Sequence, residues 1–302
     1  MISVSNEKIR EEVRNQYGNA AKTCCGGPSP KDSDACCADD FKEKEAGKEG
    51  CGCNPKLSEV KVKVKKSSIC CGASSLSSHS LSKALGYSEE ELSSLPGGAN
   101  MGFGCGNPQT IASIKKGETI LDLGSGAGID CFLASEATGK NGKVIGVDMT
   151  PEMIEKARNN LREFGVENVE FRLGEIENLP VADSQIDVII SNCVINLSPE
   201  KRKVYSEAYR VLKPGGRLAV ADVVITADLP EQLQSDIFHH TACLAGGSHT
   251  KEIEGYLIDL GFDQIEILPK DQSREFIKEW LPNSQIEDYI VSATIEAIKP
   301  KV

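Results

Sequence analysis

Short apolar runs alternate with longer stretches whose apolar positions recur every three or four residues, and this rhythm holds from about Met101 to the end of the chain. The runs Thr119 to Leu123, Lys143 to Asp148, Val169 to Leu173, Ile186 to Ile190, Arg217 to Val224, Gln264 to Leu268 and Tyr289 to Ala297 predict strands. Between them a helix starting near Gly128 carries Phe132, Leu133 and Ala134. The next opens at Thr150-Pro151, buries Ile154, Ala157, Leu161 and Phe164, and stops at Gly165. A third opens at Ser198-Pro199, runs through Val204, Ala208 and Val211, and ends at Lys213-Pro214-Gly215-Gly216, and Thr250 to Gly261 bounds a fourth. Strand and helix at this period predict an α/β fold: a parallel sheet, helices on both faces, ligands outside the carboxyl ends of the strands.

The first part of the chain reads differently. Ile9, Val13 and Tyr17 form one helical stripe that Gly18 should stop. From there to about Ser78 the chain is Lys, Glu, Gly, Ser and paired cysteines, which predicts a largely irregular arm over 1–78 ahead of a folded domain over 79–300. Ser88-Glu89-Glu90-Glu91 is a capping-box signature for a short helix that Pro96-Gly97-Gly98 ends.

Charge then narrows the partners. Lys plus Arg is 34 against 45 for Asp plus Glu, a net −11, so a phosphate backbone or an anionic membrane surface would be repelled. The Lys-rich stretch Val60 to Lys66 alternates with Val and reads as an edge strand or solvated linker. With no basic leader and no run of ~18 apolar residues, the expectation is a cytoplasmic protein without nucleic-acid or membrane partners. Twelve cysteines in such a compartment are not a disulfide framework. Thiol chemistry is the first suspect, with eight of the twelve in the arm, at 24, 25, 36, 37, 51, 53, 70 and 71. Adjacent cysteines sit ~3.8 Å apart at Cα, below the disulfide window of ~4.4–6.8 Å, so the doublets resist closing on themselves.

Residues 122 to 130 read Asp-Leu-Gly-Ser-Gly-Ala-Gly-Ile-Asp, after a strand and before a helix. A dinucleotide fingerprint needs glycine where Ile129 stands, and no Walker lysine comes after it. Instead Gly124, Gly126 and Gly128 bend the chain tightly around a ligand, Asp148 ends the second strand where it can accept from both ribose hydroxyls, and Glu175-Ile176 comes after the third. This combination resembles the class I S-adenosylmethionine-dependent methyltransferases, whose fold is a Rossmann-like, seven-stranded, mostly parallel sheet. The resemblance implies S-adenosyl-L-methionine as cofactor. It places the methionine part on Asp122, Gly124, Ser125, Gly126 and Gly128, the ribose on Asp148, the adenine against Met149 and between Glu175 and Ile176, and Asn192 near the sulfonium. A lid around 225–262 would close the site.

The domain has four cysteines, and a buried cysteine is more often core than ligand. Cys131, in the helix after the glycine loop, reads as core. Cys105 stands between Gly104 and Gly106 before the first strand, Cys193 directly succeeds the fourth strand, and Cys243 lies beyond the fifth. Three thiols converging from three loops, with no nearby His or carboxylate pair, select a soft, thiophilic centre. His239 and His240 read as surface or packing residues. Leu85 to Leu92, Gly104-Cys105-Gly106-Asn107-Pro108, Gly146 to Thr150 and Ser191-Asn192-Cys193-Val194-Ile195-Asn196-Leu197 are similar to the motifs of the arsenite methyltransferases. That resemblance implies arsenite and methylarsenite as substrates held by Cys105, Cys193 and Cys243, and a thiol reductant, thioredoxin or a small thiol. Two rivals predict otherwise: a carbon-methylating enzyme of the quinone or sterol type needs no convergent thiols, and a thiol-rich soft-metal protein would depend on the arm.

Overall fold

The computed structural model describes residues 5–23, 77–230, 246–281 and 284–301. The central sheet has the order β3-β2-β1-β4-β5-β8-β7. Its strands are β1 (Thr119–Leu123), β2 (Lys143–Asp148), β3 (Val169–Leu173), β4 (Ile186–Asn192), β5 (Leu212–Ile225), β7 (Asp263–Lys270) and β8 (Ile290–Ile298). A two-residue β6 (Ser248–His249) adds to β5. The first five strands are parallel, and β8 runs antiparallel to both β5 and β7. All seven predicted strands are present, in the class I methyltransferase arrangement.

β1, β4 and β5 lie in the middle, and their long apolar runs are buried because helices cover both faces. On one face Leu121, Ile189, Leu218 and Val220 pack with Tyr205 and Leu257; on the other Ile120, Val188 and Ile190 pack with Phe132 and Ile154. The chain order reverses between β1 and β4, so a crevice opens at their carboxyl ends, where the glycine loop and Cys193 emerge.

Three local expectations are corrected. Helix α1 (Asn6–Thr23) runs straight through Gly18. A Cβ there would lie 3.1 Å from the Glu152 carboxylate, so the glycine serves a close helix approach and is carried by it. Strand β5 starts at Leu212, not Arg217, because Lys213 to Gly216 form a bulge between the Ile186–Leu212 and Val188–Arg217 pairs. Ser198 does not cap its helix, which starts at Lys201 after Glu200; its hydroxyl accepts from Glu200 N–H at 3.1 Å and donates to Glu177 at 2.6 Å.

The capping box at Ser88 forms as read, with both reciprocal bonds at 3.1 and 2.7 Å. Helix α1 packs on the helix Pro151–Phe164, and its Val13 and Ala20 are buried. Arg10 pairs with Glu177 and Glu200, Arg14 with Glu175 at 3.2 Å, and Lys22 with Glu152 at 2.8 Å. Helix α1 is therefore docked beside Glu175, a residue expected to flank adenine. The eight arm cysteines, the Val60 to Lys66 stretch, Cys243, His239 and His240 lie outside the described residues.

Candidate active site

The glycine loop is a backbone device. Gly124 and Ser125 N–H both donate to Val147 O, at 2.8 and 3.0 Å, and Gly128 N–H donates to Ser125 O at 2.9 Å. Gly124, Gly126 and Gly128 all take positive φ, between 51° and 102°. A Cβ on Gly124 would stand 2.2 Å from Val194, whereas one on Gly126 would enter open space. The Asp148 carboxylate accepts from Gly126 N–H at 2.9 Å and Thr150 N–H at 2.8 Å, which ties the loop to the end of β2. Ile176 is buried, Met149 half-buried, and Glu175 carries its Arg14 ion pair at the rim.

Three buried carboxylates shape the electrostatics of this floor. Burial raises the pKa of Asp122 strongly, with Asp130 adding repulsion, and burial raises Asp148 as well. Asp130 is pushed up to about 6 by burial, opposed by hydrogen bonds from Tyr87 and Gln109. Clustered carboxylates held against burial favour a cationic ligand. The Ser125 hydroxyl is buried and, among the described residues, without a hydrogen-bond partner. An open cradle at Gly126, an unsatisfied hydroxyl and a cluster of acidic groups whose charge a cation would stabilise fit a sulfonium cofactor that also carries an ammonium group.

Next to this floor the thiols meet. The Cys105 and Cys193 sulfurs and an Asp222 carboxylate oxygen lie within 4.8 Å of one another, all buried. Strands β4, β5 and β8 fix them. Cys105 N–H donates to Asn192 Oδ1 at 3.0 Å, its Sγ to Ala221 O at 3.6 Å, and its own carbonyl accepts from Ser292 Oγ at 2.6 Å. Cys193 N–H donates to the same Ala221 carbonyl at 2.8 Å. Cys193 takes φ 58°, a left-handed conformation that a side chain adopts at a cost of ~1–3 kcal/mol, held here by the surrounding bonds. The flanking glycines of Cys105 are explained: a Cβ on Gly104 would lie 2.7 Å from Asn192 Nδ2, and one on Gly106 2.9 Å from Ala221 Cβ.

Asp222 was missed by the sequence reading. A single carboxylate stands beside Cys105 and Cys193, held by Asn196 Nδ2 and Val223 N–H, both at 2.8 Å, and raised to about 6 by burial. The signal was in the sequence: an acid inside the apolar run Leu218 to Val224 of a central strand. Tyr87 was also missed. Its buried hydroxyl donates to Asp130 at 2.9 Å and accepts from Asn192 Nδ2 at 3.0 Å. Asn192 thus bridges the carboxylate floor and the Cys105 loop, since Nδ2 also reaches Gly106 O at 2.8 Å. Cys131 is core, as read, fully buried with Sγ 3.3 Å from Asp122.

A family profile described as a methyltransferase domain matches residues 114–264. Over 299 residues the chain is 46% identical to an arsenite methyltransferase of Halobacterium salinarum, covering 97% of this chain and 67% of that protein. The chain belongs to the arsenite methyltransferase family. Its match to the human arsenite methyltransferase is 39% identical over 53% of this chain and 44% of that one, so the chain spans under half of the human relative's length. Among solved structures, an arsenic (III) S-adenosylmethionine methyltransferase from Chlamydomonas reinhardtii superposes with TM-score 0.53 at 33% identity, covering 74% of this chain and 73% of the other. As a member of this family the chain is a methyltransferase whose cofactor is S-adenosylmethionine, and the geometry of the glycine loop fits that role.

Proposed function

We propose that this chain methylates trivalent arsenic held on Cys105 and Cys193, with Cys243 as a third thiol. The observation that carries the reading is the meeting of two buried sulfurs, Cys105 from the loop before β1 and Cys193 just after β4, with Val194, the neighbour of Cys193, lying against Gly124 of the glycine loop. The cofactor, when bound, supplies a methyl group activated by a sulfonium. The chain's task is alignment, because arsenic bound to thiolates keeps a lone pair that needs no deprotonation, so reacting atoms held ~3–3.5 Å apart suffice. Asp148 and the Ser125 hydroxyl would hold the nucleoside and amino-acid ends; the Asn192 bridge sets the Cys105 loop against that floor. Val223, Leu229, Ile277 and Ile290 wall the thiols with apolar side chains and exclude water.

Methyl transfer leaves arsenic short of an electron pair, which two site thiols supply on closing to a disulfide. An external dithiol, thioredoxin or a small thiol, then resets them. We place the protein in a reducing, cytoplasmic setting on that ground; none of the described helices is long and apolar enough to cross a membrane. The decisive experiment is incubation of the full chain with S-adenosylmethionine, arsenite and a dithiol, followed by mass spectrometry. Methylated arsenicals support the reading, and their absence beside methylation of a quinone precursor would transfer the chain to carbon chemistry.

A further inference from the structure

The parallel ladder between β4 and β5 ends at the Asn192–Ala221 pair, and the chain then turns at Cys193. Cys193 N–H still donates to Ala221 O, but its φ of 58° leads the backbone out of the sheet toward the short 3-10 helix Ile195–Leu197. The side chain of Asp222 holds that turn from the next position of β5. Its Oδ1 accepts from Asn196 Nδ2 and Val223 N–H, both at 2.8 Å, and its Oδ2 accepts from Asn196 N–H at 3.3 Å. Asn196 Nδ2 also donates to Val223 O at 2.6 Å, and both side chains are buried. Burying a carboxylate in a central strand is costly, and an apolar residue there would serve packing alone better. The turn it holds touches both halves of the site. Cys193 stands in the thiol corner, and its neighbour Val194 lies so near the glycine loop that a Cβ on Gly124 would fall 2.2 Å from it.

We propose that Asp222 and Asn196 are positioning residues for methyl transfer: together they hold Cys193 and Val194 in register with the glycine loop, so that arsenic on the thiols faces the methyl group of the cofactor. This rests on the reading of the chain as an arsenic methyltransferase. Neither residue touches a reacting atom; both act through the turn. In the transfer step the arsenic lone pair forms the As–C bond, and the sulfonium sulfur keeps the electrons of the S–C bond that breaks. The thiols can close on arsenic from slightly shifted positions, because cysteine side chains rotate and As–S bonds form by exchange. The in-line displacement has no such latitude, and a misplacement of ~1 Å costs about a hundredfold. The turn therefore governs transfer and leaves capture of arsenic largely untouched. A carboxylate is required because both of its oxygens accept. An asparagine at 222 has one acceptor oxygen, so its amide would set N–H groups against Asn196 N–H or against the two donors now on Oδ1.

The test is single-turnover transfer in full chains: arsenite is bound first, saturating S-adenosylmethionine is added, and methylated arsenic is measured against time. Arsenite capture is titrated separately through the fluorescence of Trp280, the one tryptophan of the chain, which packs against the cluster holding Cys105 and Cys193. Cofactor affinity is read by isothermal titration. Asp222→Asn should slow transfer about a hundredfold, and Asn196→Ala, which keeps the backbone bond to Oδ2, about tenfold. Both dissociation constants should stay within about threefold of the parent's. Transfer within about threefold of the parent's in a folded Asp222→Asn chain overturns the proposal. So does a loss of transfer matched by an equal loss of arsenite or cofactor affinity, the pattern of a merely structural carboxylate. If Asp222→Asn does not fold, Asn196→Ala decides by the same criteria, and failure of both to fold assigns the pair to stability and overturns the proposal. A parent chain that methylates no arsenical overturns the arsenic reading itself, an outcome distinct from an active parent whose variants keep its rate.

Discussion

The carboxylate floor and the thiol corner adjoin each other and are built by opposite means. The floor is one contiguous stretch, Asp122 to Asp130, whose shape comes from glycine backbone and whose bonds run to the neighbouring β2. The corner draws Cys105, Cys193 and Asp222 from three separate parts of the chain, and a single carbonyl, Ala221 O, accepts from both cysteines. A local device tolerates change elsewhere and fails when its own residues change. An assembled one fails when any supporting strand shifts.

The largest expected effect falls on the corner. Cys193→Ser should cut arsenic methylation about a thousandfold or more, ~4 kcal/mol in the barrier, while isothermal titration still shows cofactor binding. Equal loss of binding and activity would erase the distinction between the two halves. Gly124→Ala strikes the floor in turn: with φ 69° and a Cβ 2.2 Å from Val194, it should lower stability by ~2–4 kcal/mol, read as a shifted urea midpoint. An unshifted midpoint would mean that Val194 moves freely and the loop is not locally fixed.

Asp148→Asn keeps the shape and removes the charge. It should weaken cofactor binding about tenfold, ~1.4 kcal/mol, with the denaturation midpoint nearly kept; unchanged affinity would detach Asp148 from the cofactor. Tyr87→Phe tests the bridge between the halves. It deletes a hydroxyl shared by Asp130 and Asn192, at a cost of ~1–3 kcal/mol in stability. A severalfold loss in kcat beyond the change in cofactor affinity is expected, and full activity would show the halves to be uncoupled.

The smallest effect concerns pH. Asp130 has its pKa raised from 3.8 to about 6 in the fold. The native state therefore holds a proton that the unfolded chain has released, and the stability due to this group falls as pH rises across that window. Asp130→Asn lacks the slope, so against the parent it should gain stability with pH at up to ~1.36 kcal/mol per unit. Urea titrations of both chains at about pH 4.5 and 6.5 check this; an equal difference at the two pH values would refute it.

The strand boundaries of β1, β2 and β3 and the glycine loop were legible because each is encoded by neighbours in the chain. Gly18 misled because a stop signal and a packing glycine look alike until the partner helix, with Glu152, is in place. The carboxylate at the thiols was visible as an acid in an apolar strand, yet its neighbours were not, since Cys193 and Asp222 are brought together only by the β4–β5 register.

Local sequence, then, determined the alternation of strand and helix, the capping box at Ser88, the bend at Gly124 to Gly128 and the candidacy of the cysteines, since each depends on backbone freedom or periodicity over a few residues. The tertiary structure alone decided that two of those sulfurs share a corner with Asp222, that Asn192 and Tyr87 join it to the carboxylate floor, and that α1 docks beside Glu175. Those contacts span tens to hundreds of positions, and only the closed sheet, which fixes where each strand ends relative to its neighbours, brings such distant groups within bonding range.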